Sequence, residues 1–185
     1  MNNRKRLAYI LLLNVLLLSA TFHAAPRPAT IQPNIGVNGF FSVDKAQRGR
    51  TVQAAVVINI PSGFHINSSK PLSSFLIPTS LKISGDAGLR AGAVSFPRAQ
   101  MRRFSFSPDP LSVYEGRAVL RFTVRVPANA AVGVAQLRAR VKYQSCNDEV
   151  CFPPATREVA MPISVVETND PVKRINRNIF GGRSG

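Results

Sequence analysis

Between residues 117 and 126 the chain alternates. Leu120, Phe122, Val124 and Val126 fall on one side, and Arg121, Thr123 and Arg125 on the other. A period of two is that of a β-strand with one face buried and one in water. Residues 137–143 repeat it, with Leu137, Ala139, Val141 and Tyr143 inward and Arg138, Arg140 and Lys142 outward. Residues 51–60 are β-branched and apolar and stop at Pro61-Ser62-Gly63, a turn signal. Residues 75–83 form an apolar run interrupted by Pro78, which suits an edge or bulged strand. Residues 93–96 form a short strand, and residues 158–166 the last one, with Pro162 favouring an edge. Short strands, turn residues between them and no amphipathic helix predict an all-β fold, an antiparallel β-sandwich over residues 36–166.

The flanks read differently. In residues 1–25, Arg4, Lys5 and Arg6 precede an apolar run at 7–20, broken only by Asn14 and Ser19. This is the pattern of an export signal, and the run is short for a membrane span of about 20 residues. Ala24 and Ala25 are candidate cleavage points. Phe22 or His23 would then stand at the −3 position, where small residues are preferred, so an uncleaved N-terminal anchor stays open. No cysteine follows the run for lipid attachment, and no later run approaches membrane length, so the mature chain is not expected to span a membrane. Residues 26–35 are a proline-containing lead-in of low charge. Residues 167–185, with Lys173, Arg174, Arg177 and Arg183, read as a disordered basic tail.

Charge narrows the partners. The chain has 24 Lys+Arg against nine Asp+Glu; the signal removes three basic residues and no acidic ones, leaving 21 against nine, or +12. Such a charge suits an acidic partner or an anionic membrane surface, and a solvated basic surface is the simpler reading. Nucleic acid is not an expected partner of an exported chain without an aromatic-interleaved basic cluster. Hydrolytic catalysis lacks a serine motif and a placed carboxylate pair, and His65 is the only histidine beyond the signal.

The informative chemistry lies in Tyr143-Gln144-Ser145-Cys146-Asn147-Asp148-Glu149-Val150-Cys151-Phe152-Pro153-Pro154, which holds both cysteines of the chain. An oxidising compartment lets such a pair persist as a disulfide. The strand at 137–143 runs into Cys146, and Pro153-Pro154 ends regular structure, so the pair sits in a loop between strands. One reading is a structural staple. Closing a loop of about six residues restrains the unfolded chain by only roughly 2 kcal/mol, and a sandwich of this size has an apolar core without it. An exported binding module with this staple would use its basic strand faces, Arg121, Arg125, Arg138, Arg140 and Lys142. The other reading is thiol–disulfide exchange, which needs a reachable sulfur, a resolving thiol and freedom to open and close. The spacing is not C-x-x-C, and no βαβ pattern surrounds it, so the site is not of thioredoxin type. A soft-metal site from Cys146, Cys151, His65 and Met101 or Met161 is a third reading, weakened because no second Cys/His pair stands at ligand spacing. No metal and no cofactor are expected.

Tyr143-Gln144-x-Cys146-x4-Cys151-x-Pro153-Pro154 resembles the active-site loop of the N-terminal periplasmic domain of DsbD-type thiol:disulfide interchange proteins. Gly63-Phe64-His65-Ile66-Asn67, Phe104-Ser105-Phe106 and Leu111-Ser112-Val113-Tyr114-Glu115-Gly116 follow in the order seen in that family. The resemblance spans roughly residues 36–166. It implies an immunoglobulin-like fold in the periplasm and a pair that takes electrons from a thioredoxin-like or transmembrane thiol donor. It further implies oxidised exported thiol proteins as clients, among them disulfide isomerases and the reductants of cytochrome c maturation. By the same resemblance Cys151 forms the mixed disulfide and Cys146 resolves it, and a flexible cap loop shields the pair with an aromatic residue.

Phe104 or Phe106 matches that cap position. Two apart, both could instead be core, but Ser105, Ser107, Pro108, Asp109 and Pro110 make the stretch loop-like. Some family members have one residue more between the cysteines, and tyrosines that flank the pair in some are replaced here by His65 and Asn67. If His65 lies beside the pair, a protonated imidazole would stabilise a thiolate; the alternative is a surface or hydrogen-bonded histidine. Family proteins continue into an electron-transporting membrane domain and a thioredoxin-like domain. This chain ends at Gly185 without them, so its donor is expected to be a separate protein.

Overall fold

The computed structural model describes residues 32–181. The export signal, most of the lead-in and Arg183 lie outside the described residues.

Alternation produces the long strands. β3 (Thr51–Asn59), β9 (Arg117–Arg125), β10 (Gly133–Tyr143) and β12 (Ala155–Val166) carry the main ladders. Around them lie β1 (Gly36–Phe41), β2 (Lys45–Gln47), β4 (His65–Asn67), β5 (Ser80–Gly85), β6 (Arg90–Ala91), β7 (Gln100–Arg102), β8 (Leu111–Tyr114) and β11 (Ser145–Cys146), with one short helix, α1 (Arg177–Phe180). One sheet has the order β1-β3-β9-β6 and the second β2-β12-β10-β5; all pairings are antiparallel except β2 with β12. A small third sheet, β11-β4-β8-β7, carries the first cysteine. The architecture is an immunoglobulin-like β-sandwich. Among the described residues no helix is long and apolar enough to cross a membrane.

The core is the meeting of the two predicted inward stripes. Leu120, Phe122 and Val124 of β9 and Val56 and Ile58 of β3 join Leu137, Ala139, Val141 and Tyr143 of β10, with Met161 and Ile163 of β12. Each such aliphatic or aromatic side chain, fully buried, favours folding by about 1.5–3 kcal/mol. Gly39 lets β1 lie close over β12, since a Cβ there would overlap the Met161 side chain. Opposed inward stripes send the outward ones apart. Arg121 and Arg125 leave the first sheet, and Arg138, Arg140 and Lys142 leave the second. The five cations that the binding-module reading would use as its functional surface are therefore split between two faces. Arg138 and Arg140 also share Glu158 at 3.6 and 2.9 Å.

Several expectations shift. The run at 75–83 enters its ladder only at Ser80, because Pro78 cannot donate to it, and Phe75 is exposed; β5 is nonetheless an outer strand. Residues 93–96 supply only an isolated bridge, Ser95 to Arg121. Pro162 pairs with Gln136 on one side, while β2 reaches only residues 164–166 on the other, so the proline sits beside an open edge. The lead-in ends early: Ile35 is already a core residue.

The tail expected to be disordered is held in place from residue 167 to 181. Asp44 and Lys173 exchange backbone and side-chain bonds, with Lys173 N donating to Asp44 Oδ1 at 2.8 Å and Asp44 N to the Lys173 carbonyl at 3.1 Å. Ile175 N donates to the Ser42 carbonyl, and Asn176 Nδ2 to the Phe41 carbonyl. Ile179 of α1 then packs on Ala55 and Val57, on the outer face of the first sheet. That apolar outer patch of β3 explains the correction: it needs a cover, and Ile179 and Phe180 supply one despite the polar, basic composition around them.

Candidate functional site

Residues 143–154 make a tight hairpin at the end of the sandwich. Gln144 leaves β10, and Ser145 and Cys146 form β11 against Ile66 and His65 of β4. The chain then reverses. Asn147 Oδ1 accepts from the amides of Glu149 at 2.9 Å and Val150 at 2.7 Å, and Asn147 N donates to the Val150 carbonyl at 3.0 Å. This side-chain-capped turn is what asparagine provides in short loops. It brings Cys151 back opposite Cys146, where the two are joined by a disulfide. Phe152 N closes the hairpin on the Ser145 carbonyl at 2.8 Å.

The sulfurs are not equivalent. Cys146 is 0% exposed, whereas Cys151 is half-buried. Of the two residues, only Cys151 has any exposed surface.

His65 faces Cys146 across the β4–β11 ladder. Pro61-Ser62-Gly63 delivers it there: Gly63 takes a φ of +79°, and Phe64 N donates to the Pro61 carbonyl. His65 is 1% exposed, and its Nε2 has no hydrogen-bond partner. Phe104 lies flat on the imidazole, with ring centres 3.9 Å apart and 18° between planes. Phe106 continues the stack, 5.6 Å from Phe104. Neither phenylalanine belongs to the buried core, and Phe106 is 36% exposed. Ser105, between them, donates from Oγ to the Asp148 carbonyl at 2.7 Å, which ties the aromatic loop to the cysteine hairpin.

Burial pushes His65 from 6.5 down to about 4; the Asp148 carboxylate acts upward and the Arg102 guanidinium downward, both more weakly. The imidazole is therefore neutral at neutral pH. His65 does lie beside the pair, but the protonated imidazole that the first of the two readings attached to that position is absent in the disulfide form, because burial strips the ring of the water that a charge needs. The surface or hydrogen-bonded alternative does not describe it either.

Asn67 is fully buried two residues further on. Its Nδ2 donates to the Ile77 carbonyl and to Gln144 Oε1, both at 3.1 Å. Tyr143 faces the sandwich core, and burial raises its phenol pKa, with Arg157 acting weakly the other way. Met161 lies in the core and Met101 is exposed on β7, so the two methionines of the metal reading stand in different surroundings. Among the described residues no group of three or more His, Cys, Asp or Glu is placed to hold a metal ion.

The family model described as thiol:disulfide interchange protein DsbD, N-terminal, matches residues 38–163. The chain belongs to this family. Its cysteine pair is accordingly a redox-active exchange pair and not merely a staple, and it works with a thiol donor and acceptor system. No curated protein matches the chain. Solved structures similar to it include two N-terminal domains. The reduced N-terminal domain of DsbD from Neisseria meningitidis is 19% identical, with a TM-score of 0.41 over 75% of this chain and 88% of that one. The N-terminal periplasmic domain of ScsB from Proteus mirabilis is 9% identical, with a TM-score of 0.47 over 76% of this chain and 49% of that one.

Within the family motif, Gln144 does more than the sequence reading assigned to it. Its Oε1 accepts from Asn67 Nδ2 and from Ile77 N, and its Nε2 donates to the Phe152 carbonyl. It holds both ends of the hairpin at once. Its place beside Cys146 in the motif was the available signal. Phe152, which packs at 6.0 Å from Phe64, and the Ser105–Asp148 bond had no sequence signal, since each joins segments far apart in the chain.

Proposed function

We propose that this periplasmic domain carries two electrons at a time from a separate thiol donor, thioredoxin-like or transmembrane, to oxidised periplasmic clients such as disulfide isomerases or cytochrome c maturation reductants. One observation carries the reading: a half-buried Cys151 joined to a fully buried Cys146, in a hairpin tied through Ser105 to an aromatic loop that lies outside the core.

A donor thiolate attacks Cys151 Sγ and displaces Cys146. The donor's second thiol then attacks the mixed disulfide, leaving the donor oxidised and the pair as a dithiol. In the second half, the Cys151 thiolate attacks a client disulfide, and Cys146 resolves the mixed disulfide by attacking Cys151 Sγ. The pair is a disulfide again, and the client is reduced by two electrons. Phe104 and Phe106 shield the sulfurs between these encounters, and a docking partner displaces them. His65 and Asn67 are the polar neighbours of the pair, and Tyr143 seats its hairpin in the core.

The test is the reduction potential of the Cys146–Cys151 pair against a dithiol buffer. A working pair falls between about −270 and −120 mV, and a bridge below about −300 mV would overturn the reading. Cys146→Ser should trap the client as a mixed disulfide on Cys151.

A further inference from the structure

The resolving step just described requires Cys146 to lose its thiol proton, yet Cys146 is fully buried. The residue opposite it on the ladder is His65. Directly paired residues of an antiparallel ladder present their side chains on the same face, with Cβ atoms about 4.5–5.5 Å apart. The imidazole is as buried as the thiol, and its Nε2 has no partner in the disulfide form. A buried ring nitrogen left unpaired is costly, and such groups mark sites that chemistry uses. Phe104 covers the ring face to face. We propose that His65 is the proton acceptor for the Cys146 thiol, and that Phe104, stacked on it, keeps it idle until a docking partner lifts the aromatic loop. This inference rests on the exchange function above.

The step balances. In the mixed disulfide, Cys151 Sγ is bonded to a client sulfur. The Cys146 proton passes to the imidazole, and the thiolate attacks Cys151 Sγ. The Cys146–Cys151 bond forms as the Cys151–client bond breaks. The client sulfur leaves as a thiolate and takes the proton from the imidazolium. The client is reduced by two electrons and the pair oxidised by two.

The surroundings fit a gated base. With the stack closed, burial holds the imidazole at about 4, too low for it to accept a proton from a thiol. Phe104 is one of the groups that cover the ring, so lifting it readmits water to that face, and Asp148 acts upward. Arg102 on β7 acts downward, but Glu115 pairs with it at 3.1 Å. These three charged groups and His65 line one groove of about 420 Å³ with Gly63 and Phe64.

The experiment is stopped-flow reaction of the reduced protein with an aromatic disulfide whose thiol product is coloured. The first release reports attack by Cys151, and the second reports resolution by Cys146. At pH 7, His65→Phe, which keeps a ring under Phe104 but no nitrogen, should slow the second release about tenfold or more and leave the first within about twofold. His65→Gln, whose amide accepts a hydrogen bond but not a proton, should be slowed as well, and full second release in it would overturn the proposal. Unchanged second release in His65→Phe overturns the proposal. In a Phe104→Ala background the same loss must persist; a loss seen only with Phe104 present would mean packing and would also overturn it. In the disulfide form, nuclear magnetic resonance titration of Phe104→Ala should move His65 upward from about 4 toward 6.5. An unmoved titration overturns the gate. A wild-type protein giving two clean releases, with His65→Phe unaffected, sinks the base alone. A wild-type protein giving none sinks the exchange function and the base together.

Discussion

In the sandwich body, Leu120, Leu137, Val124 and Val141 are fully buried among other apolar side chains. In the small third sheet and the segments touching it, comparable depth is given to His65, Asn67, Ser68, Thr79, Ser112 and Ser145, which are all the buried polar side chains among the described residues. The three buried side-chain polar atoms without a partner among the described residues, His65 Nε2, Asn67 Oδ1 and Ser145 Oγ, lie there too. The body is held by apolar burial, which is non-directional and spread over many contacts. The site is held by a few directional bonds and an aromatic stack, each of which can be broken singly. A region with incomplete polar satisfaction opens at lower free energy than a close-packed core. Under the exchange function proposed above, that contrast is what would let one small domain keep its fold while the cysteine hairpin uncovers, exchanges and closes.

Mutations can break the comparison from either side. The largest effect belongs to the body. Leu120→Ala should destabilise the domain by about 2–5 kcal/mol in denaturant unfolding and leave the reduction potential of the pair where it was. A shifted potential would mean that body and site are not separable.

The next effect is set by pH and belongs to the site. The folded protein holds His65 at about 4 against 6.5 in the unfolded chain. Between those values the unfolded or opened state binds more protons. The contribution is therefore fully present above about 6.5 and is lost as pH falls toward 4. Wild type should lose stability relative to His65→Phe across that window, by at most about 3 kcal/mol. The loss should appear first as amide exchange in the third sheet. Parallel curves for the two proteins would contradict it.

The smallest effect tests the directional bonds themselves. Gln144→Ala removes the side chain that joins Asn67, Ile77 and the Phe152 carbonyl. It should cost about 1–3 kcal/mol and speed disulfide reduction by a small phosphine, with the core ladders of β9 and β10 still protected from exchange. Loss of protection throughout would mean that the hairpin supports the body as well.

The sequence made the body legible and the site only partly so. Arg117–Arg125 and Gly133–Tyr143 were found because alternation over many residues is a local property, and all four inward positions read in 137–143 are buried. β4, β7 and β11 are two or three residues long and show no period; they exist because each pairs with a distant segment. Ile179 and Phe180 were hidden in a basic tail because their reason lies on another strand, in the outward Ala55 and Val57.

For the chemistry, the sequence by itself determined which two atoms react. The cysteine spacing, the Tyr143-Gln144 before it and the Pro153-Pro154 after it carry the family likeness and place the pair between strands. Only the tertiary structure decided that Cys146 is the sheltered sulfur, that His65 is neutral, and that Ser105 ties the aromatic loop to the hairpin. The reason is physical. Which bond a cysteine can make is written in its own side chain, whereas reachability and protonation depend on the water that surrounding groups exclude. Those groups come from segments as far apart as residues 65, 104 and 146, and they meet only in the fold.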